Sequence, residues 1–305
     1  MKEIWPKEFP ECQDGASRLA HQYYDDSIPW DGRVNLLVLA ESHARTSEAT
    51  YGAKMSETTS IPQEARDLHH GHLNLVHCLT YGEDHLLDET VEVDGSAKKG
   101  TFDFWKVFGV LAGALDEWIE LLEDGVDINE IPDVRTYTEQ WSKGHTTDEE
   151  RIQNKIDLLK RLKDLGIVLA DISPFSIYPS GGSIEQVNKT TGKTYWTPKH
   201  SLAAKTKKEL IKTAYLGYAK PLIETLRPKY ILVLGVSGFQ IIKEAGLMDV
   251  CEKVGAEVLG CTMHPSHKQS DQAKRMRLLR QIHNAGKIAE AESKLQRACP
   301  QSSEL

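Results

Sequence analysis

Two short stretches carry residue types that can do chemistry. Val34 to Ala40 is an apolar run that ends abruptly in Glu41-Ser42-His43. The junction supplies a carboxylate, a hydroxyl and an imidazole in consecutive positions. Glu41 can receive a proton, orient a base or position a water. The same residues also suit a plain capping loop, with Ser42 as helix cap and Glu41 paired to a lysine. Far along the chain, His264-Pro265-Ser266-His267 offers a donor, a rigid bend and a hydroxyl. Histidine titrates near neutrality, so His264 can stabilise negative charge developing on a leaving group. Ser266 can donate to a phosphate or to its own loop, and the segment also reads as a turn that closes a sheet.

Between them, Asp171 directly follows the apolar run Ile167 to Ala170. It can accept a hydrogen bond from a base or ribose edge, and Phe175 or Tyr178 can stack against a ring. Gly235-Val236-Ser237-Gly238 can expose backbone donors to a phosphate, or simply turn a strand into a helix. GxGxxG, GxxxxGK[ST] and GxSxG are all absent, so neither a nucleotide loop nor a hydrolase serine has motif support. His69, His70, His72 and His77 lack the HExxH spacing, and helical phase separates several of them. They read as structural histidines in a polar loop. No metal and no cofactor is expected.

These residues need elements to position them. Residues 33–40, 167–170 and 230–234 read as buried strands, with a shorter one at 257–259. Helical spacing covers 102–122, 149–165, 201–226 (bent near Pro221), 238–245 and 270–291. Gly166 ends the second of these. A short helix within 67–83 carries Leu73, Val76 and Leu79 on one face. Residues 84–100 read as a loop or hairpin, 123–147 as irregular and acidic, and 183–200 as a small turn-containing excursion. Helices interleaved with short apolar strands give an α/β fold, a mainly parallel sheet covered on both faces. Ligands of such sheets sit beyond the carboxyl ends of the strands. Glu41, Asp171, Gly235 and His264 therefore share one expected neighbourhood.

The 305 residues suit a single α/β domain, with long acidic and helical insertions across 45–150 and a flexible tail over 296–305. Residues 1–150 hold 31 acidic and 12 basic side chains, whereas 151–305 hold 14 and 25. The net charge of -8 disfavours nonspecific nucleic-acid binding, yet a basic face from the second half can still meet a phosphate backbone. The 5 cysteines are widely spaced without CxxC and read as buried thiols. No signal-like or membrane-spanning run is present, so a soluble cytoplasmic protein is expected.

The chain resembles the uracil-DNA glycosylase superfamily. In that family a first motif of the type Gly-Gln-Asp-Pro-Tyr-His or Gly-Glu-Ala-Pro-Gly follows a strand, and here Leu39-Ala40-Glu41-Ser42-His43-Ala44 stands in its place. The family's closing His-Pro-Ser-Pro is matched by His264-Pro265-Ser266-His267. Leu73-Asn74-Leu75-Val76, Val168-Leu169-Ala170-Asp171 and Val233-Leu234-Gly235 fall in family order between them, so the likeness spans about two thirds of the chain. The resemblance implies a three-layer α/β/α sandwich around a mainly parallel four-stranded sheet, and an N-glycosylase acting on DNA with an altered base. It implies Glu41 and Ser42 near the reacting centre, His264 assisting departure of the base, Asp171 at the base and Ser266 near phosphate, while Phe175 at the base and Gly235 near phosphate are read from the residues themselves. Lys193, Lys199, Lys205 and Lys274 are weaker candidates for backbone contacts, and each reads first as an ordinary exposed lysine. Ala40 stands where the pattern has glycine, the Pro-Tyr pair is absent, and Asp171 replaces asparagine. Two alternatives stand beside this reading: a noncatalytic nucleic-acid or nucleotide binder, and a hydrolase of free nucleosides or nucleotides.

Overall fold

The computed structural model describes residues 12–29, 31–42, 46, 50–57, 60–88, 103–113, 116–126, 146–177, 183–187, 194–198, 204–262 and 272–298. The strands are β1 (Leu36–Ala40), β2 (Ile167–Asp171), β3 (Ser183–Val187), β4 (Thr194–Pro198), β5 (Tyr230–Leu234) and β6 (Glu257–Thr262). The helices are α1 (Cys12–Ser27), α2 (Gln63–Asp67), α3 (Asp103–Leu111), α4 (Asp116–Glu123), α5 (Asp148–Asp164), α6 (Ala204–Ala214), α7 (Lys220–Leu226), α8 (Val236–Glu244), α9 (Leu247–Val254) and α10 (Gln272–Ala298). Among the described residues, no helix is long and apolar enough to cross a membrane.

β2-β1-β5-β6 form one all-parallel sheet, in that order. Side chains alternate across its two faces. Leu36, Val38, Ile167, Leu169, Leu232 and Leu234 pack against α3, α5 and α10. Leu37, Leu39, Val168, Ala170, Ile231 and Val233 pack against α6 to α9. Both faces are covered, which is why the strands are apolar at nearly every position. The three-layer α/β architecture follows from this alternation. β3 and β4, from within the 183–200 excursion, pair separately as a two-stranded antiparallel sheet.

Several elements differ from the sequence-based expectation. α1 and α9 were not expected. α1 buries Ala16, Leu19, Ala20 and Tyr23 against Leu73, Leu75 and Cys78. α9 lies between Gly246 (φ 96) and Gly255 (φ 77) and buries Leu247, Val250 and Cys251. The helix expected over 102–122 is two, α3 and α4, with Gly113 at φ 86 in the break. The helix expected within 67–83 is instead a run of turns. Gly71 at φ 146 interrupts it, and buried side chains compete for its backbone.

α5 begins and ends where expected. Thr147 and Glu150 form a capping box, and Gly166 at φ 70 closes the helix. The bend near Pro221 is a π-helical turn, Tyr215–Ala219, between α6 and α7. Proline has no N–H and collides with the carbonyl four residues back, and a wider turn absorbs both defects. β6 extends to Thr262, with a register shift opposite Ile231/Leu232. Residues 296–298 of the expected tail belong to α10. Gln296 donates to the Asn35 side chain and Arg297 to the Asp164 carbonyl, so both belong to the packed body. Part of the 45–150 region is likewise core: Trp105, Phe108 and Ile119 are almost fully buried in one cluster, and the Met55–Leu87 bridge ties the loops together.

Candidate active site

The order β2-β1-β5-β6 puts a reversal in the sheet. The chain moves outward from β1 to β2, then resumes on the other side of β1 with β5 and β6. A crevice forms beyond the carboxyl ends of the two central strands at such a reversal, and it is the usual ligand position in open α/β sheets. Glu41 stands at the end of β1, and Gly235 at the end of β5.

Glu41 is 3% exposed, a costly place for a carboxylate unless it is paired. Ser237 Oγ donates to Oε1 at 2.8 Å, and Lys207 Nζ lies 2.8 Å from Oε2. Ser237 is in the first turn of α8, whose positive end favours a carboxylate. The two glycines make the fit. Gly235 has φ 114, which a side chain rarely adopts. A Cβ on Gly238 would lie 2.8 Å from Glu41 Cγ. The turn expected to meet a phosphate therefore meets a carboxylate from within the chain. A phosphate drawn to the same helix end would be opposed by Glu41's charge.

Ser42 is also buried, and its Oγ accepts from the Ile177 amide at 3.2 Å. Together with Ser173 N–H donating to the Glu41 carbonyl at 3.1 Å, it ties the loop after β1 to the loop after β2. That bond gives Ser42 a positioning task. Phe175 is half-buried in the same loop, its backbone engaged with Ser173 Oγ on both sides.

Asp171, at the end of β2, is 5% exposed. Tyr24 from α1 donates to its Oδ2 at 2.6 Å. Burial, and then the negative charge of Asp171, push the Tyr24 phenol well above its ordinary range, so it remains a donor. The Tyr24 ring meets His77 edge-on at 5.8 Å, and His21 meets both Tyr24 and Tyr218, at 6.5 and 5.0 Å. Burial followed by the charge on Asp171 also raises the Tyr218 phenol. Asp171 thus sits in an aromatic wall built by α1, the π-helical turn and the 69–81 segment.

Within the histidine-rich segment, His69 and His72 share a buried hydroxyl. His69 Nε2 and His72 Nδ1 lie 3.0 and 2.9 Å from Thr80 Oγ1, and Cys78 Sγ lies 3.2 Å from it. One hydroxyl donates once and accepts twice, so Thr80 can serve all three neighbours. His77 donates from Nε2 to the Leu169 carbonyl at 3.1 Å, and its burial holds the imidazole below its ordinary pKa. Among the described residues, the donor atoms close enough to share a metal are those of Glu83, His85 and Asp148. Arg151 already supplies positive charge there, bonding Glu83 at 2.8 and 2.9 Å and Asp148 at 2.5 Å.

Of the expected site residues, Glu41, Ser42, Asp171, Phe175 and Gly235 gather at the carboxyl ends of β1, β2 and β5. His43, Tyr178, His264 and Ser266 lie outside the described residues, as do the side chains of Lys193, Lys199 and Lys274. Lys205 is exposed at the start of α6. Cys261 faces the second core cluster rather than the strand ends. Sequence reasoning missed Tyr24, Lys207 and Ser237. Tyr24 neighbours Tyr23, whose spacing from Ala16, Leu19 and Ala20 is helical, and Ser237 lies inside the Gly-Val-Ser-Gly turn. Nothing in the sequence pairs Lys207 with Glu41. In comparisons with known proteins, no family model matches the chain, and no curated protein matches it.

Proposed function

We propose that this chain is a DNA base-excision N-glycosylase-like hydrolase that removes a noncanonical or damaged base. The observation that carries the reading is Glu41 at the reversal of the parallel sheet, one strand from Asp171, both buried and both ionisable. Cleavage of an N-glycosidic bond builds positive charge on the sugar and negative charge on the departing base. A carboxylate clamped by Lys207 and Ser237 is a fixed negative charge, suited to stabilising the cationic sugar and ordering the attacking water. In this reading the base is flipped from its stack and presents its edge to Asp171. A carboxylate oxygen accepts hydrogen bonds, so Asp171 selects a base edge that carries N–H donors. His264 stabilises the leaving base, as the resemblance to the uracil-DNA glycosylase superfamily implies.

The position of Glu41 at the α8 terminus favours a second reading. It opposes phosphate there, which suits hydrolysis of an uncharged free nucleoside. The test is base release from single- and double-stranded DNA carrying uracil, hypoxanthine, xanthine or methylated bases, with free nucleosides in parallel. Release from DNA that is lost in Glu41→Gln and His264→Ala supports the proposal. Release from free nucleosides alone replaces it with the second reading. No release from any substrate, by protein whose fold is verified by circular dichroism, sinks both for these bases.

A further inference from the structure

A second cavity lies on the outer side of edge strand β2, away from the Glu41 crevice. It encloses about 390 Å³, within the size range of small-molecule sites. Leu68, Leu79, Ile156, Leu159, Leu162 and Leu169 supply aliphatic wall, and Tyr23 and His77 add two aromatic rings. Tyr23 uses its hydroxyl on the Gly71 carbonyl at 2.8 Å, so it offers a ring face rather than a donor. His77 gives its Nε2 proton to the Leu169 carbonyl. Burial keeps the ring neutral, so Nδ1 carries a lone pair, and it has no hydrogen-bond partner among the described residues.

The rim bears on charge. Lys160 and Lys163 face Asp26, Glu64 and Asp164 around the opening. Lys160 is paired with Glu64 at 2.7 Å, and Lys163 donates to the Asp26 carbonyl at 2.8 Å. Such a rim has no surplus positive charge to draw an anion. We propose that this cavity is a binding site for a neutral planar aromatic molecule bearing one N–H or O–H donor, of the indole or phenol type, which His77 Nδ1 accepts. The bound ring stacks among Tyr23, His77 and the aliphatic wall. His77 meets Tyr24 edge-on, and Tyr24 bonds Asp171, so occupancy bears on the strand end as well.

The site is tested by calorimetric titration and thermal shift on the full chain, independently of any enzymatic activity. The probes are indole and phenol, with toluene as a ring lacking a donor and benzoate as an anion. Indole and phenol are expected to bind roughly three- to tenfold more tightly than toluene, the worth of one net hydrogen bond. Benzoate is expected to bind more weakly than phenol. Leu159→Trp, which fills the half-buried side of the cavity, should abolish binding of all the rings. His77→Phe should bring indole and toluene to similar affinities. Absence of indole binding to the parent protein overturns the proposal. So does undiminished binding in Leu159→Trp, or benzoate binding as tightly as phenol. Should His77→Phe fail to fold, the indole-to-toluene ratio in the parent decides the donor claim.

Discussion

Replacing Gly238 with alanine should disturb the candidate site through one methyl group. The added Cβ would lie 2.8 Å from Glu41 Cγ, 3.1 Å from Oε1 and 3.4 Å from Cδ. Ordinary contact begins near 3.4 Å, so Cγ must retreat by about 0.6 Å. Its carboxylate is held at 2.8 Å by both Ser237 and Lys207, and a retreat of that size stretches at least one bond toward the limit of useful hydrogen bonding. Overpacking of this kind costs about 1–3 kcal/mol, while alanine returns roughly 0.5–1 kcal/mol of helix propensity within α8. The net loss of stability is therefore modest, about 0–2.5 kcal/mol. Activity should respond more sharply. A catalytic group misplaced by about 1 Å can cost roughly a hundredfold, so base release should fall by about ten- to a hundredfold. The decisive assay is urea unfolding of Gly238→Ala alone and in a Glu41→Ala background, beside base-release rates. With Glu41 truncated the clash is gone and only the helix gain remains, so the same change should now stabilise, by up to about 1 kcal/mol. An equal effect in both backgrounds would refute the claim that Gly238 exists to admit Glu41.

Three further outcomes follow from buried charge. Arg151→Met removes both guanidinium bonds to Glu83 and should cost about 3–5 kcal/mol in denaturant unfolding, whereas Lys155→Met keeps those bonds and should cost less than about 1 kcal/mol; equal losses would contradict the assignment of Arg151 as the main partner. Burial, which outweighs the attraction of Glu83, lowers Lys155 from 10.5 to about 8. Between those values the unfolded chain holds more protons than the folded one, so stability should rise with pH from about 8 to 10.5, by up to about 3 kcal/mol. The rise should be missing in Lys155→Met, and a wild-type slope in that variant would rule out Lys155 as its origin. Tyr24→Phe removes the donor 2.6 Å from Asp171 Oδ2 and should cost about 1.5–3 kcal/mol, measured by thermal and denaturant unfolding; a loss within about 0.5 kcal/mol would mean that solvent replaces the hydroxyl freely.

The local features of this fold were legible along the chain. Leu36 to Leu39, Ile167 to Ala170 and Ile231 to Leu234 are too uniformly apolar for a half-solvated strand, so their burial on both faces was readable. Gly166 marked the end of α5, because helix termination depends on neighbours within one turn, whereas the Thr147–Glu150 capping box was identified only in the structure. Glu41 and Asp171 were readable as strand-end groups for the same reason. Elements that rely on distant partners were not. α1 is held by the 71–81 segment, and His69 and His72 turn toward Thr80 instead of joining a helix, since buried hydrogen bonds outweigh a weak apolar spacing. The strand order, and with it the crevice between β1 and β5, emerged only when the layers packed. So did the identity of Glu41's partners: Ser237 stands 196 residues away in the chain, and Lys207 reaches it from another helix. Spacing along a chain encodes periodicity and caps, but the desolvation of a carboxylate is answered by whichever groups the packed layers bring within about 3 Å.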